Sequence, residues 1–159
     1  MNTTEKNNVG LEWNVVDTVV PRLNELLANY QVFYTNLRGF HWNIQGDKFY
    51  ELHELYEDYY NQFAEKVDEV AERIVMLGKV PANSFTEYLK VANVKEVSGI
   101  SDWQAGVRNV LETLQFFVGE LRDLHATAIK AGDHATVSLA NHGIKDFEKK
   151  IWMLSSYLK

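Results

Sequence analysis

The sequence predicts an all-α fold, a four-helix bundle with a short helix in the crossover between helices two and three. Three observations lead there. Only two prolines, Pro21 and Pro81, interrupt the chain, so helix breakers are few. Four long stretches repeat apolar residues at i, i+3, i+4 and i+7, the spacing of one helix face. No stretch shows the apolar–polar alternation of a half-buried strand. A chain of 159 residues buries roughly 70% of its unfolded surface, enough for a core without covalent staples.

The first helix is expected to start near Asp17 or Thr18, with Pro21 in its first turn, where a missing N–H matters least. Leu23, Leu26, Leu27, Tyr30, Phe33, Tyr34, Leu37, His41 and Ile44 form its apolar stripe, and Gly46 is a natural stop. The second is expected from Phe49 to Leu77, on Phe49, Leu52, Tyr56, Tyr60, Phe63, Val67, Val70, Ile74 and Leu77. Gly78 and Pro81 then end it. Residues 79 to 100 read as a connection with a short helix in FTEYLKVANV. The third helix starts near Ser101 or Asp102, carries Val107, Leu111, Leu114, Phe117, Val118, Leu121 and Leu124, and stops at Gly132. The last uses Val137, Ala140, Ile144, Phe147, Ile151, Leu154 and Leu158. One long crossover between helices two and three is the connectivity of ferritin-like bundles. Residues 1–14 read as a short tail and 15–159 as one domain.

Composition narrows the function. With no cysteine, disulfides and thiolate metal sites are excluded, which suits a reducing cytoplasm. The N-terminus shows no secretory signal, and no apolar run approaches the ~20 residues of a membrane span. A net charge of −6 disfavours nucleic acid unless a basic arm overrides it. No such arm appears among the first ten residues. Lys145, Lys149, Lys150 and Lys159 alternate with Asp146 and Glu148, which reads as a solvated helix face.

Five polar residues on or beside apolar stripes carry the candidate chemistry: His41, His53, Glu57, Asp68 and Glu72. His53 and Glu57 are an i, i+4 pair, as are Asp68 and Glu72, so each pair can share a partner. Fifteen residues separate His53 from Asp68, ~22 Å along a helix at 1.5 Å per residue. Metal–ligand bonds are near 2 Å, so one helix cannot bring both pairs to one ion. Two arrangements stay open. The pairs are unrelated, with His41 and His53 as core histidines and Asp68 and Glu72 as salt-bridge partners of Lys66 or Arg73. Or an antiparallel second copy, related by a two-fold axis, brings its Asp68 and Glu72 to the first copy's His41, His53 and Glu57. Imidazole with carboxylates suits Fe(II), Mn(II) or Zn(II) rather than Cu(I). Trp42, Tyr56 and Tyr60 stand nearby and can take stray oxidising equivalents, though their helical spacing also suits a core. His125, His134 and His142 read as structural or exposed. No Glu-x-x-His occurs, so a di-iron centre inside one bundle is not expected.

The segment FHWNIQGDKFYELHELYEDYYNQFAEKVDEVAERIVMLGKVP resembles the signature of the Dps family, mini-ferritins named as DNA-binding proteins from starved cells. The match rests on HWN, on LH with a Glu four residues later, and on the Asp and AER before LG and P. FTEYL, AGD and EKKIWMLSSYL extend it over residues 15–159. The resemblance implies a cytoplasmic, hollow shell of twelve subunits that oxidises Fe(II) at dimer interfaces and stores a ferric mineral. It also implies hydrogen peroxide as the favoured oxidant, with oxidative damage thereby limited. It implies His41 and His53 as iron ligands from one subunit, Asp68 and Glu72 from its partner, and Glu57 as an accessory carboxylate. Trp42 matches the family's site-proximal tryptophan. The rival function is nucleoid compaction. Many DNA-binding members have a lysine-rich tail that this chain lacks, and twelve copies at −6 each carry about −72, so DNA binding is not expected. Asp133 and Asp146 are the candidates for an acidic iron-entry pore, with Ser138, Asn141 and His142 near them.

Overall fold

The computed structural model describes residues 5–159, so the first four residues of the expected tail lie outside the described part. Five helices follow one another: α1 (Trp13–Asn43), α2 (Phe49–Met76), α3 (Phe85–Val91), α4 (Trp103–Lys130) and α5 (His134–Tyr157). α1 lies along α2 and α4 along α5, α3 rests on α1, and no strand forms among the described residues. No helix is long and apolar enough to cross a membrane. The expected bundle and crossover helix are both present.

Helix ends follow local chemistry. Asp102 caps α4 by accepting from the Ala105 N–H at 2.8 Å. Ser84 and Glu87 form a capping box on α3, with Glu87 Oε2 accepting from the Asn83 N–H at 3.1 Å and from the Ser84 hydroxyl at 2.7 Å. Gly78 (φ +86°) and Gly132 (φ +69°) close α2 and α4 in left-handed turns. The Lys79 N–H reaches back to Ile74 O and the Asp133 N–H to Ala128 O, which satisfies otherwise orphaned carbonyls.

Three elements differ from the sequence expectation. α1 begins at Trp13, a turn before Asp17, because Trp13 docks on the end of α2. Its ring lies 3.0 Å from where a Gly78 Cβ would stand, and Lys79 covers it at 5.1 Å. Pro21 therefore lies inside the helix, and Asp17 pairs with Lys79 at 2.7 Å instead of capping. α3 stops at Val91, where Ala92 turns extended. The buried line of α5 is Thr136, Ala140, Gly143, Phe147, Lys150 and Leu154, leaving Val137, Ile144 and Ile151 half-buried. Gly143 is the cause: a Cβ there would meet Leu121 at 2.7 Å, so the helices close on the bare backbone.

All four long helices supply rings to one aromatic centre. Tyr30 of α1 meets Phe63 of α2, Phe117 of α4 and Phe147 of α5, and Phe33 of α1 meets Phe63 and Phe117, at centroid distances between 4.8 and 6.2 Å. Most of these contacts are edge-to-face, each worth about 0.5–1.5 kcal/mol beyond burial.

The crossover is held by asparagines, which offer a donor and an acceptor as a peptide does. Asn24 Oδ1 accepts from the Ala82 N–H at 2.9 Å. Buried Asn29 accepts from the Asn93 and Val94 N–H groups at 2.7 and 2.9 Å. Asn36 donates to Lys95 O at 2.8 Å and accepts from the Val97 N–H at 2.9 Å. Asn36→Ala is expected to lower stability by about 1–3 kcal/mol, the size of a buried polar group left unpaired. Hydrogen exchange should show the Val97 amide losing its protection, and unchanged protection would contradict the clamp.

Candidate metal centre

His41 lies in the last turn of α1 and His53 in the second turn of α2, and the two bind each other's backbone. His41 Nδ1 is 2.7 Å from His53 O, and His53 Nδ1 is 2.9 Å from His41 O. A carbonyl only accepts, so both Nδ1 atoms must donate. Each neutral ring is thereby held with its proton on Nδ1 and a lone pair on Nε2, the form that binds a metal. The helix end explains why the His41 carbonyl is free. Its helical partner would be the Gln45 N–H, which turns away to Ser101 O at 3.1 Å.

The rings stack at 3.8 Å and 19°. Phe49 covers the other side of His53 at 5.0 Å, and the Tyr60 ring meets His41 edge-on at 5.4 Å. His41 is buried, His53 half-buried, and Glu57, one turn further along α2, exposed. One ligand atom from each of His41, His53 and Glu57 fits within 4.8 Å of the others. Donors around one ion at 2.0–2.2 Å stand at most ~4 Å apart, so small rotations complete a three-ligand set. No other group of His, Asp or Glu with this spacing occurs among the described residues. The nearby aromatics divide. Tyr60 lies on the centre. Tyr56 is core, its hydroxyl against Gly106 and its phenol pushed up by burial. Trp42 points outward, 64% exposed, under the Arg38 guanidinium at 4.7 Å.

Asp68 and Glu72 are not brought to this cluster. α2 runs unbroken through both ends, so Asp68 stays ~22 Å and Glu72 ~28 Å along the helix from His53. They are exposed and line a cavity of about 580 Å³ between α2 and α5, with Glu65, Glu69, Arg73 and His142. The salt bridges to Lys66 or Arg73 that the first of the two arrangements offered do not form among the described residues. Lys66 pairs with Asp146 at 3.0 Å. Arg73 pairs with Asp133 at 2.6 Å and donates from Nε to Thr136 Oγ1 at 3.0 Å.

These pairs also involve the two acids expected at a pore. Asp133 is 2% exposed, holds Arg73 and caps α5 by accepting from the Thr136 N–H at 3.1 Å. Asp146 is held by Lys66 and by Lys150. Burial pushes its carboxyl up, but the hydrogen bonds from Lys150 and Lys66 outweigh burial and hold it below the usual carboxylate range. Neither acid presents a free carboxylate in this chain. Lys150, expected on a solvated face, instead runs inward, its ammonium over the Tyr59 ring at 5.4 Å. His134 and His142 are exposed and His125 half-buried.

The ferritin-like domain family matches residues 21–159. The DNA protection during starvation protein of Porphyromonas gingivalis is 49% identical over 148 residues, 93% of each chain. A crystal structure of the DPS protein from Vibrio cholerae O1 is described as a member of a broad superfamily of ferritin-like diiron-carboxylate proteins. It superposes with a TM-score of 0.96 at 40% identity, over 100% of both chains. The Dps crystal structure from Bacillus brevis gives 0.89 at 32% identity, over 92% of this chain and 98% of that one.

The reciprocal clamp makes a spectroscopic prediction. Nitrogen NMR at mildly alkaline pH should find both His41 and His53 as the Nδ1–H tautomer. A Nε2–H tautomer at either ring would remove the clamp.

Proposed function

Because the chain belongs to the Dps family of ferritin-like proteins, we propose that it is a ferroxidase and iron store that consumes Fe(II) and hydrogen peroxide together. The single observation that carries this reading is the His41–His53 clamp, which leaves both Nε2 lone pairs free in two rings that lie, with Glu57, within reach of one ion. The donor set of imidazole and carboxylate suits Fe(II) as substrate. The diiron-carboxylate description of the Vibrio structure points to the same metal.

Three donors from one chain leave the site short of carboxylates. In the proposed assembly, Asp68 and Glu72 of the partner subunit complete it across a two-fold axis, giving two equivalent centres per dimer. The helix length supports this, since α2 cannot fold back on itself. A closed shell, twelve subunits by family resemblance, then encloses the ferric product. In the reaction two Fe(II) give one electron each to one hydrogen peroxide. The O–O bond breaks, two protons are taken up, and two waters form. No hydroxyl radical is released. The proposed setting is the cytoplasm, in keeping with a chain that has no cysteine.

The name of the Porphyromonas relative brings DNA protection into this reading. With −6 per chain, we propose protection by removing Fe(II) and peroxide rather than by coating DNA.

Anaerobic protein loaded with Fe(II) should, on adding peroxide, form soluble ferric product with about one peroxide used per two Fe(II). His53→Ala and Asp68→Ala should each slow this at least about tenfold, the loss expected for a metal-site residue. Mixed oligomers of the two variants should recover some activity, because a mixed dimer has one centre with both lesions and one with neither. Equal rates in the variants, or no recovery on mixing, would overturn the shared site.

A further inference from the structure

α2 carries eight acids and only two lysine or arginine residues, Lys66 and Arg73. Both cations stand within reach of the acid row Glu65, Asp68, Glu69 and Glu72. Glu69 and Arg73 are at i, i+4, the arrangement that ordinarily forms an ion pair on a helix surface. Glu72 is the residue next to Arg73. Yet no lysine or arginine pairs with any of the four acids among the described residues. Arg73 is bound by Asp133 and Thr136, and Lys66 by Asp146, with its ammonium over the Phe147 ring at 5.1 Å. Both side chains are nearly buried, 12% exposed each. α5 therefore takes every lysine and arginine that α2 has.

We propose that Asp133 and Asp146 are positioning residues for the metal centre: they hold Arg73 and Lys66 away from the α2 acid row and so keep Asp68 and Glu72 free to bind a dication. This rests on the reading of Asp68 and Glu72 as ligands. The network is built for it. Asp133 is fixed from two sides, since Thr136 donates its hydroxyl to Asp133 Oδ2 at 2.5 Å and its N–H to Oδ1 at 3.1 Å. Arg73 spans the same Asp133–Thr136 pair, so its guanidinium cannot swing to Glu69 or Glu72 without leaving Asp133 unpaired. A freed guanidinium beside those acids would compete with the metal for the carboxylates and repel it.

The test uses the assembled full-length protein and Co(II) alone, followed by its visible absorption. Asp133→Asn, which keeps the α5 cap, and Asp146→Asn should each weaken Co(II) binding by roughly tenfold, the effect of one unit charge on a dication near a protein surface. Removing the released cation should restore it. Asp133→Asn with Arg73→Gln, and Asp146→Asn with Lys66→Gln, should bind Co(II) nearly as the parent does. A purely structural role predicts that the double variants bind no better than the single ones, and that result overturns the proposal. Asp146 is only partly buried, so its pair carries the test if the Asp133 variant does not fold. Asp68→Ala separates the two layers. If it leaves Co(II) binding unchanged, the ligand reading fails and this inference falls with it. If it weakens binding while both Asn variants bind normally, the ligands stand and the inference alone fails.

Discussion

The rise of an α-helix governs this protein. α2 carries an imidazole end and a carboxylate end on one unbroken rod, ~22 Å apart. The rod cannot shorten, because Leu52, Tyr56, Tyr59, Phe63, Val70 and Ile74 bury its inner face from end to end. Phe63 sits between the two ends and is locked by rings from the other three long helices. The aromatic centre thus fixes the distance that keeps the two ends apart. In the proposed assembly, this rigid separation within one chain becomes a rule for how two chains meet.

Each end of the rod is prepared differently. At the imidazole end the outer partners are backbone carbonyls, not carboxylates. A carbonyl orients the ring and sets its tautomer without adding charge, so negative charge enters only through Glu57 and, in the proposed assembly, the partner's acids. The arrangement also resolves a problem of α1, whose last carbonyls have no helical donors. One pair of hydrogen bonds ends a helix and poises the two proposed ligands. Arg38 adds an asymmetry among the nearby aromatics. A cation over the Trp42 ring disfavours loss of an electron from it, whereas Tyr60, on the edge of His41, has no cation over its ring among the described residues.

What the sequence revealed follows from how far each signal reaches along the chain. His41, His53 and Glu57 were legible because a short turn joins their helices and the apolar spacing places them on one side. Gly78, Asp102 and Gly132 marked helix ends because caps are local. Trp13 was not legible as the start of α1, since its partners are Gly78 and Lys79, more than sixty residues away. The same distance hid the destinations of Lys66 and Arg73. Local reasoning offered them the nearest acids, and the fold supplied more deeply buried ones from α5. The α5 stripe misled for another reason. Glycine contributes nothing to an apolar pattern, yet Gly143 sets how closely α4 and α5 approach. Asn24, Asn29 and Asn36 add nothing to an apolar pattern either, and their partners in the crossover lie about sixty residues away.

A helix with Asp68 and Glu72, and Glu65 and Glu69, in like-charged i, i+4 pairs is weakened along that face by a few tenths of a kcal/mol per pair. An isolated peptide would relieve this with Lys66 and Arg73. Here the inner face supplies most of the helix's stability through burial, on the order of 1.5–3 kcal/mol for each large apolar side chain. That margin is large enough to leave the outer face uncompensated. The bundle can therefore hold the row Glu65, Asp68, Glu69 and Glu72 without lysine or arginine partners among the described residues, a distribution that, in the proposed function, favours an arriving dication. Stability and uncompensated charge occupy opposite sides of the same helix, and the core on one side is what permits the charge on the other.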